Sequence, residues 1–494
     1  MYKIDDVIKA HKKNSEDIIR RIAESESATY ENDPPRYLGL TGIKQYQDYI
    51  YAKFDDVIKM PSFDYISKTD DDGWLIIGDH RREIAAKICL IIEQYGLGIG
   101  MIVLHAQQMN SGLIPLSMKI NDILINLAQP TKKFYGSKGE HVLFIPARKF
   151  RNDVHKLAEL NIAKPKEIWN QSRIVKHIGD TSLCCFFCSA GEINPSEVVI
   201  NINGVRFGLS RNYSLGFTFT PFGNPISVVH FLAWDHSDHP YNMNRTPVTV
   251  SDLVKMVYQI NESITNFFKG TDVKDAPIID GISNGWAGNS IFHQHFQFFC
   301  PEYETPILSE NLVISTPTLF RDDVKIFKLS WPAPVYKIVA EDPINVGLVG
   351  NDLAGIWRLQ GKAVEVKDIQ FFDGYKPEEG GKIHNYTQNL YIPGKTLGKT
   401  AYIILRQRIK ASYTPLDSEY INRQKKIKPI EKINIGVLEA TGSMIVDDED
   451  AFNKMESWSP SDITEQISKM LKSILVEKKG IKKFEQNIVG LFPE

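Results

Sequence analysis

The stretch from residue 288 to residue 300 constrains this chain more than any other. It reads Gly-Asn-Ser-Ile-Phe-His-Gln-His-Phe-Gln-Phe-Phe-Cys, an apolar run with polar residues at alternate positions, which is typical of a buried strand. Because strand side chains alternate between two faces, His293, His295 and Gln297 are expected on one face. A buried polar group without a partner costs about 1–3 kcal/mol, so this face is predicted to hold a metal, a ligand or a polar network. Just before it, Gly288, Asn289 and Ser290 are small enough to let backbone amides approach an anion.

Length, charge and cysteine content limit the classes of protein to consider. A chain of 494 residues predicts two or three domains. The net charge of −2, with acids and bases mixed, argues against a dedicated nucleic-acid binder and a polybasic membrane surface. No signal peptide or transmembrane span is recognisable. The five cysteines, three of them in the run 184–188, favour a reducing compartment, so a cytoplasmic protein is expected.

The order of predicted elements gives an α+β organisation. Residues 1–175 carry no usable motif and are interpreted as an accessory domain that packs on the catalytic part or forms a homodimer contact. The elements predicted along the chain are a surface helix over 1–26, a helix or strand pair over 83–105, strands over 197–203 and 205–209 with a hairpin at Asn203-Gly204, a strand over 227–234, a helix from Thr249 or Ser251 to Gly270, a strand over 278–283, strands over 384–392 and 401–408, and a helix over 461–478.

Cys185 and Cys188 have the spacing at which two thiolates bind one tetrahedral zinc ion. The remaining ligands would come from His236 or His239 on the predicted loop after residue 234 and from His293 on the strand. The alternative is a buried pair of small apolar residues, with the two loop histidines solvated.

The His-x-His-x-Gln pattern of residues 293–297 suits chemistry at phosphorus. A neutral imidazole is a nucleophile, and a covalent intermediate divides one difficult phosphoryl transfer into two easier ones. A hydrogen bond at the other ring nitrogen would hold the tautomer. Gln297 can donate a hydrogen bond to phosphate oxygens without titrating, which favours transfer, whereas a histidine there could act as an acid and favour hydrolysis.

Taken together, these motifs resemble a known family. The sequence from Ser290 to Gln297, with Cys185-x-x-Cys188 and Trp234-Asp-His-Ser237 upstream in the same order, resembles the galactose-1-phosphate uridylyltransferase branch of the histidine-triad superfamily. That branch also includes dinucleoside-polyphosphate phosphorylases and GDP-hexose phosphorylases. The resemblance covers residues 182–300, extends in weaker form over 380–450 and is absent over 1–175. Gln294 and Phe296 replace the proline and glycine usual around the family's histidines.

The resemblance implies a fold and a reaction. The fold would be two histidine-triad half-barrels, each an antiparallel sheet with a packed helix, the second degenerate, in domains over 1–175, 176–305 and 306–494. His295 would attack the α-phosphorus of a nucleotide sugar, Gln297 would bind the phosphate, and a sugar 1-phosphate would accept the nucleotidyl group. Structural zinc would be held by Cys185, Cys188, His293 and either His236 or His239.

Weaker expectations concern the rest of the substrate. Asn284 would contact the α-phosphate or ribose, or else only form a turn with Gly285. His384 and Arg406 would bind the acceptor phosphate, unless Arg406 is simply a solvated charge at a strand end. Arginine suits the role because its planar guanidinium binds phosphate in a bidentate manner.

Three other functions compete with the nucleotidyltransferase. A phosphorylase acting on GDP-hexoses or dinucleoside polyphosphates would use the same chemistry with inorganic phosphate as acceptor. A zinc-containing nucleic-acid module is disfavoured by the long spacing between Cys188 and His236 and by the near-neutral charge. An inactive scaffold is disfavoured by the presence of both His295 and Gln297.

Overall fold

We describe a computed structural model of the protein. The structure describes residues 40–61, 63–69, 75–110, 117–120, 123–126, 132–144, 198–203, 205–210, 229–235, 250–273, 276–284, 295–301, 304–313, 318–321, 323–365, 382–384, 386–407, 435–446, 449–473 and 478–489. The helix predicted over 1–26 lies outside these ranges.

Helices and strands of the described residues confirm the expected α+β class. The helices are α1 (Leu40–Lys53), α2 (Asp55–Ile58), α3 (Arg81–Tyr95), α4 (Leu97–Asn110), α5 (Val250–Phe268), α6 (Pro343–Leu359), α7 (Val437–Ala440), α8 (Glu449–Met455), α9 (Pro460–Ser473) and α10 (Lys478–Val489). The strands are β1 (Phe63–Thr69), β2 (Leu75–Asp79), β3 (Ser117–Ile120), β4 (Ile123–Asn126), β5 (Lys132–Tyr135), β6 (His141–Phe144), β7 (Val198–Ile202), β8 (Val205–Ser210), β9 (His230–Asp235), β10 (Asp280–Ser283), β11 (His295–Phe299), β12 (Thr318–Arg321), β13 (Val324–Lys328), β14 (Val335–Val339), β15 (Ala363–Glu365), β16 (Lys382–His384), β17 (Tyr386–Ile392), β18 (Thr400–Gln407) and β19 (Ser443–Val446). None of these helices is long and apolar enough to cross a bilayer.

Within the described ranges, one antiparallel sheet of ten strands organises the molecule. Its order is β7-β8-β9-β11-β10 in one half, continued by β17-β18-β14-β13-β12 in the other. In each half, a hairpin and a third strand are followed in sequence by a long helix (α5 or α6) and two further strands of this sheet. The second of these two strands lies in the sheet between the third strand and the first of the two. The two halves therefore share one topology and meet at the pairing of β10 with β17, which we call the seam.

Most predicted elements of the first half are confirmed. Asn203 turns the β7–β8 hairpin with a φ of 52°, the left-handed conformation that asparagine tolerates in such turns. Helix α5 begins at Val250, between the two predicted caps, and buries the predicted apolar stripe, including Leu253, Val257 and Ile264. Gly270 follows it with a φ of 80°.

Two layers cover the sheet, one on each face. On the first, the helix face, α3, α4, α5, α6 and α10 pack against alternate strand residues such as Phe296, Phe298 and Ile403. On the second, the opposite face, the small sheet β19-β6-β5 and helices α7, α8 and α9 pack against Ile282, Tyr391 and other strand residues. The run predicted over 83–105 proves to be two helices, α3 and α4, separated at Gly96 with a φ of 89°.

Segments distant in the chain meet on the opposite face. Strand β6 pairs in parallel with β19, so that His141 is opposite Ser443 and Phe144 is opposite Val446. This pairing crosses the boundaries drawn from the sequence at residues 175 and 305, and the three-domain division stays a prediction.

A close contact between α4 and α5 gives a test of the helix layer. A Cβ added at Gly98 would lie 2.2 Å from the backbone oxygen of Ile260, which has no freedom to rotate away. We expect Gly98→Ala to lower the free energy of unfolding by about 1–3 kcal/mol because the helices must separate. The matched control is Gly355→Ala in α6, where the new Cβ meets nothing within 4 Å. Urea denaturation should show the control unchanged or stabilised by up to about 1 kcal/mol, and equal stability of the two variants would contradict the packing described.

Candidate active site

His295 and Gln297 lie on the opposite face of the sheet, as the alternation of residues predicts. Phe296 and Phe298 point into the core under the helices and are fully buried. His295 is buried and Gln297 is half-buried. The polar residues of this strand are thereby separated from the helix layer by the sheet itself.

The register of β10 and β11 brings Asn284 beside His295. Ile282 is paired with Gln297, and Asp280 with Phe299. Continuing this register by two residues past Ile282 puts Asn284 directly across from His295. Directly opposed residues of an antiparallel pair have Cβ atoms about 5 Å apart and point to the same face. Asn284 and His295 therefore lie on the same face of the sheet, just beyond the end of this pairing.

Asn389 extends this row across the seam. Ser283 is paired with Leu390, so Asn284 falls opposite Asn389 on β17. The Asn389 Nδ2 group donates to the backbone oxygen of Asn284 at 3.0 Å and approaches its Oδ1 at 3.4 Å. On the other side of His295 the row continues to Trp234 of β9, which is fully buried. One row across four strands thus holds an indole, an imidazole and two carboxamides.

A closed ring of hydrogen bonds, which we call the seam ring, includes Asn284 and is completed by the backbone from Ile435 to Val437. Arg406 Nη1 donates to Asn389 Oδ1 at 2.8 Å and to the backbone oxygen of Ile435 at 2.6 Å. Two residues further on, the Val437 N–H donates to Asn284 Oδ1 at 2.7 Å. The contacts from Asn389 to Asn284 close the ring. It therefore ties both halves of the sheet to the chain leading into α7.

Two side-chain amides on this face remain available to a ligand. Within the described part of the chain, Asn284 Nδ2 has no hydrogen-bond partner, because the bonds of that side chain are made through Oδ1. The carboxamide of Gln297 likewise makes no hydrogen bond to any described residue. One amide N–H just after β10 and another on β11 can thus donate to an acceptor held near His295.

A second polar cluster lies at the other end of the seam. Tyr391 donates its hydroxyl hydrogen to Asp280 Oδ2, and the Gly394 N–H donates to Asp280 Oδ1 at 2.7 Å. The Thr305 hydroxyl lies 2.7 Å from the Tyr391 oxygen. Burial raises the pKa of Asp280 from its ordinary value near 3.8 to about 7, although Tyr391, Gly394 and Lys395 each act to lower it. Burial, with the Asp280 charge as a lesser cause, raises the pKa of the Cys300 thiol to about 12, so this cysteine is not a nucleophile at neutral pH.

Of the substrate residues predicted from sequence, the structure joins Asn284 to Arg406 through Asn389. The guanidinium of Arg406 is buried within the seam ring and is not a solvated charge at a strand end. Its predicted contact with an acceptor phosphate stays a prediction. His384 ends β16, which pairs with β15 and not with the large sheet. The structure thus splits the run predicted over 384–392 between two sheets.

The predicted zinc ligands lie outside the described residues. These are Cys185, Cys188, His236, His239 and His293, and the same holds for the predicted anion-binding residues Gly288, Asn289 and Ser290. Among the residues that are described, no group of three or more histidine, cysteine, aspartate or glutamate side chains could hold a metal ion. The zinc site therefore stays a prediction, and no chemical step below depends on it.

The sequence interpretation missed Asn389 and Asp280. Asn389 could have been found in part by the criterion that found the histidine strand, since Asn389 and Tyr391 alternate with Leu390 and Ile392 in β17, although Gln388 interrupts the pattern. No local signal distinguishes Asp280, whose partners lie more than a hundred residues away in the sequence.

Comparisons with known proteins add one weak structural likeness. No protein-family model matches the sequence, and no curated protein matches it. A solved structure of a DUF4931 family protein from Bacillus cereus ATCC 10987 aligns at 11% identity, covering 55% of this chain and 99% of its own, with a TM-score of 0.25. A TM-score this low does not show a shared fold.

The buried Asp280 carboxyl predicts a pH dependence of stability. Because its pKa is raised on folding, the folded state binds more protons than the unfolded state between about pH 4 and pH 7. The contribution of this group is therefore complete below pH 4 and is lost as the pH rises through 7. We expect Asp280→Asn to flatten the fall in the free energy of unfolding between pH 5 and pH 8, as measured by urea denaturation. Parallel pH profiles for the two proteins would contradict this assignment.

Proposed function

We propose that the protein is a nucleotidyltransferase that works through a nucleotidyl-histidine intermediate on His295. The observation that carries the proposal is that the buried imidazole of His295 shares one face of the sheet with the carboxamide of Gln297, two residues along β11, and with that of Asn284, the residue that follows β10. Amide donors next to a nucleophile suit a phosphoryl group, since they stabilise the charge on its oxygens without titrating.

The duplicated topology supports the proposed family relationship. Two five-stranded units with the same strand order, each with one long helix, are what two histidine-triad half-barrels would produce when joined edge to edge. In this proposal the first unit carries the nucleophile. The second has Thr400 at the start of β18, the strand that corresponds to β11, and is the degenerate unit.

The reaction would proceed by double displacement. The neutral imidazole of His295 attacks the α-phosphorus of a nucleotide sugar, a phosphorus–nitrogen bond forms, and the bond from phosphorus to the bridging oxygen breaks. The sugar 1-phosphate leaves with that oxygen and its electron pair. A phosphate oxygen of the acceptor then attacks the same phosphorus, the phosphorus–nitrogen bond breaks, and the imidazole is neutral again. Asn284 Nδ2 and Gln297 would donate to the non-bridging oxygens in both steps.

Detection of the covalent intermediate tests this function directly. The protein would be incubated separately with UDP-glucose, GDP-mannose, ADP-glucose and diadenosine tetraphosphate, quenched at alkaline pH and examined by intact-protein mass spectrometry. We expect a mass increase of one nucleotidyl group with one class of donor and none for His295→Ala. Adding either a hexose 1-phosphate or inorganic phosphate should then discharge the adduct, and the effective acceptor distinguishes a transferase from a phosphorylase.

The outcomes separate the competing functions. Absence of an adduct from folded wild-type protein with every donor would overturn the proposed function in favour of an inactive scaffold. An adduct that persists in His295→Ala would reject the assigned nucleophile. As a control for folding, Phe296→Leu alters the neighbouring position on the helix face and should keep the adduct.

Gln297 gives an independent prediction about the fate of the intermediate. We expect Gln297→His to form the adduct and then lose it to water faster than the wild type, because an imidazole at this position can exchange protons with water and a carboxamide cannot. Gln297→Glu would slow adduct formation through repulsion of the phosphate. The rate of adduct decay without acceptor measures the first effect and the rate of adduct formation the second. A decay rate unchanged in Gln297→His would contradict the role assigned to the amide.

A further inference from the structure

The seam ring determines which atom of Asn284 a ligand meets. Arg406 carries only donors, so the Asn389 atom that it contacts at 2.8 Å must be the carboxamide oxygen. The Nδ2 group of Asn389 is then directed at Asn284, whose backbone oxygen and Oδ1 both act as acceptors. The donor from Arg406 thus sets the orientation of one amide, which sets the orientation of the next.

A second, independent donor enforces the same orientation. The backbone N–H of Val437 cannot accept a hydrogen bond, and it lies 2.7 Å from Asn284 Oδ1. Both described partners of the Asn284 side chain therefore require an oxygen at this position. The Nδ2 group is left as the atom that faces away from the ring.

We infer that Asn389 is a positioning residue for the candidate active site, and that the second half of the sheet thereby acts together with Val437 to set the polarity of the first half's anion contact. This inference rests on the proposed function for its chemical consequence. The degenerate half acquires a specific role, because Arg406 and Asn389 act through Asn284, which presents a hydrogen-bond donor beside His295. An anionic group such as a phosphoryl oxygen is favoured at that point, and the reversed amide would present an oxygen and repel it.

Asn389→Asp tests this role, and it also removes the Nδ2 donor from the backbone oxygen of Asn284. An aspartate at this position still accepts from Arg406, now as an ion pair, so the strand pairing has a stabilising partner. It offers only acceptors to Asn284, however, so it repels Asn284 Oδ1 and opposes the orientation that the Val437 N–H still requires. We expect adduct formation to slow about tenfold, the loss associated with one neutral hydrogen bond in the transition state.

The control is Tyr391→Phe, two residues along the same strand and on the same face. Tyr391 is equally buried and hydrogen-bonded, but its hydroxyl contacts Asp280 and Thr305 at the other end of the seam. We expect this variant to lose stability and to keep the wild-type rate of adduct formation. If Asn389 had a purely structural role, the rate of adduct formation would instead fall together with the free energy of unfolding in both variants.

A double-mutant comparison tests whether Asn389 acts through Asn284. In an Asn284→Ala background, Asn389→Asp should cause no further loss of adduct rate, because the oriented amide is already absent. Additive losses would overturn the inference.

A crystal structure of Asn389→Asp separates the inference from the proposed function. We expect the Asn284 carboxamide to rotate out of line with the Val437 nitrogen, so that neither of its terminal atoms stays within hydrogen-bond range of that nitrogen, where Oδ1 now lies at 2.7 Å. An Asn284 side chain that stays in place would overturn the positioning role whatever the adduct measurements show. A turned side chain in a protein whose wild type forms no adduct would support the positioning role and reject the nucleotidyltransferase.

Discussion

The pairing of β10 with β17 is the constraint on which the rest of the structure depends. β10 is four residues long, yet it joins two five-stranded halves into one sheet. Polar groups fix its position at both ends: Asn284 contacts Asn389 at one, and Asp280 contacts Tyr391 and Gly394 at the other. A slip of one residue would turn Asn284 and Asp280 toward the apolar helix face and remove these partners. Such buried polar pairs contribute more to a unique register than apolar contacts, which tolerate rearrangement.

The two faces of the sheet have different structural and chemical roles. On the helix face, residues such as Phe296, Phe298 and Ile403 supply an apolar core with α5 and α6. On the opposite face, apolar contacts with the small sheet surround polar residues that occupy the same row of adjacent strands. Under the proposed function, the first half would carry the nucleophile while the second half orients the groups around it. A duplicated fold can in this way lose the nucleophile from one copy and retain that copy as a support for the other.

The alternation of polar and apolar residues and the turn-forming residues of the sequence predicted the local structure well. The alternation in residues 293–299 predicted which face His295 and Gln297 occupy, and Asn203-Gly204 predicted the hairpin, because these signals depend on neighbouring residues alone. The continuity of the ten-stranded sheet was beyond the same reasoning, since the β10–β17 pairing joins segments more than a hundred residues apart and leaves no local signature. The burial of Arg406 was also missed, because its partners are an asparagine on the adjacent strand and a backbone oxygen at Ile435. The predicted zinc ligands lie outside the described ranges, and the zinc site stays a prediction from the sequence.

The layer on the opposite face has a consequence for how the chain reaches its native state. The Ser137 N–H donates to the Thr464 hydroxyl across 327 residues of sequence, and β6 pairs in parallel with β19 in the same layer. At about 5–20 residues per second, a ribosome needs roughly 16–65 seconds to synthesise the chain between these contacts. For most of that interval β5 and β6 have been synthesised while β19, which pairs with β6, has not. The face that carries His295 can therefore close only late in synthesis, and the candidate site is completed only when nearly the whole protein has been made.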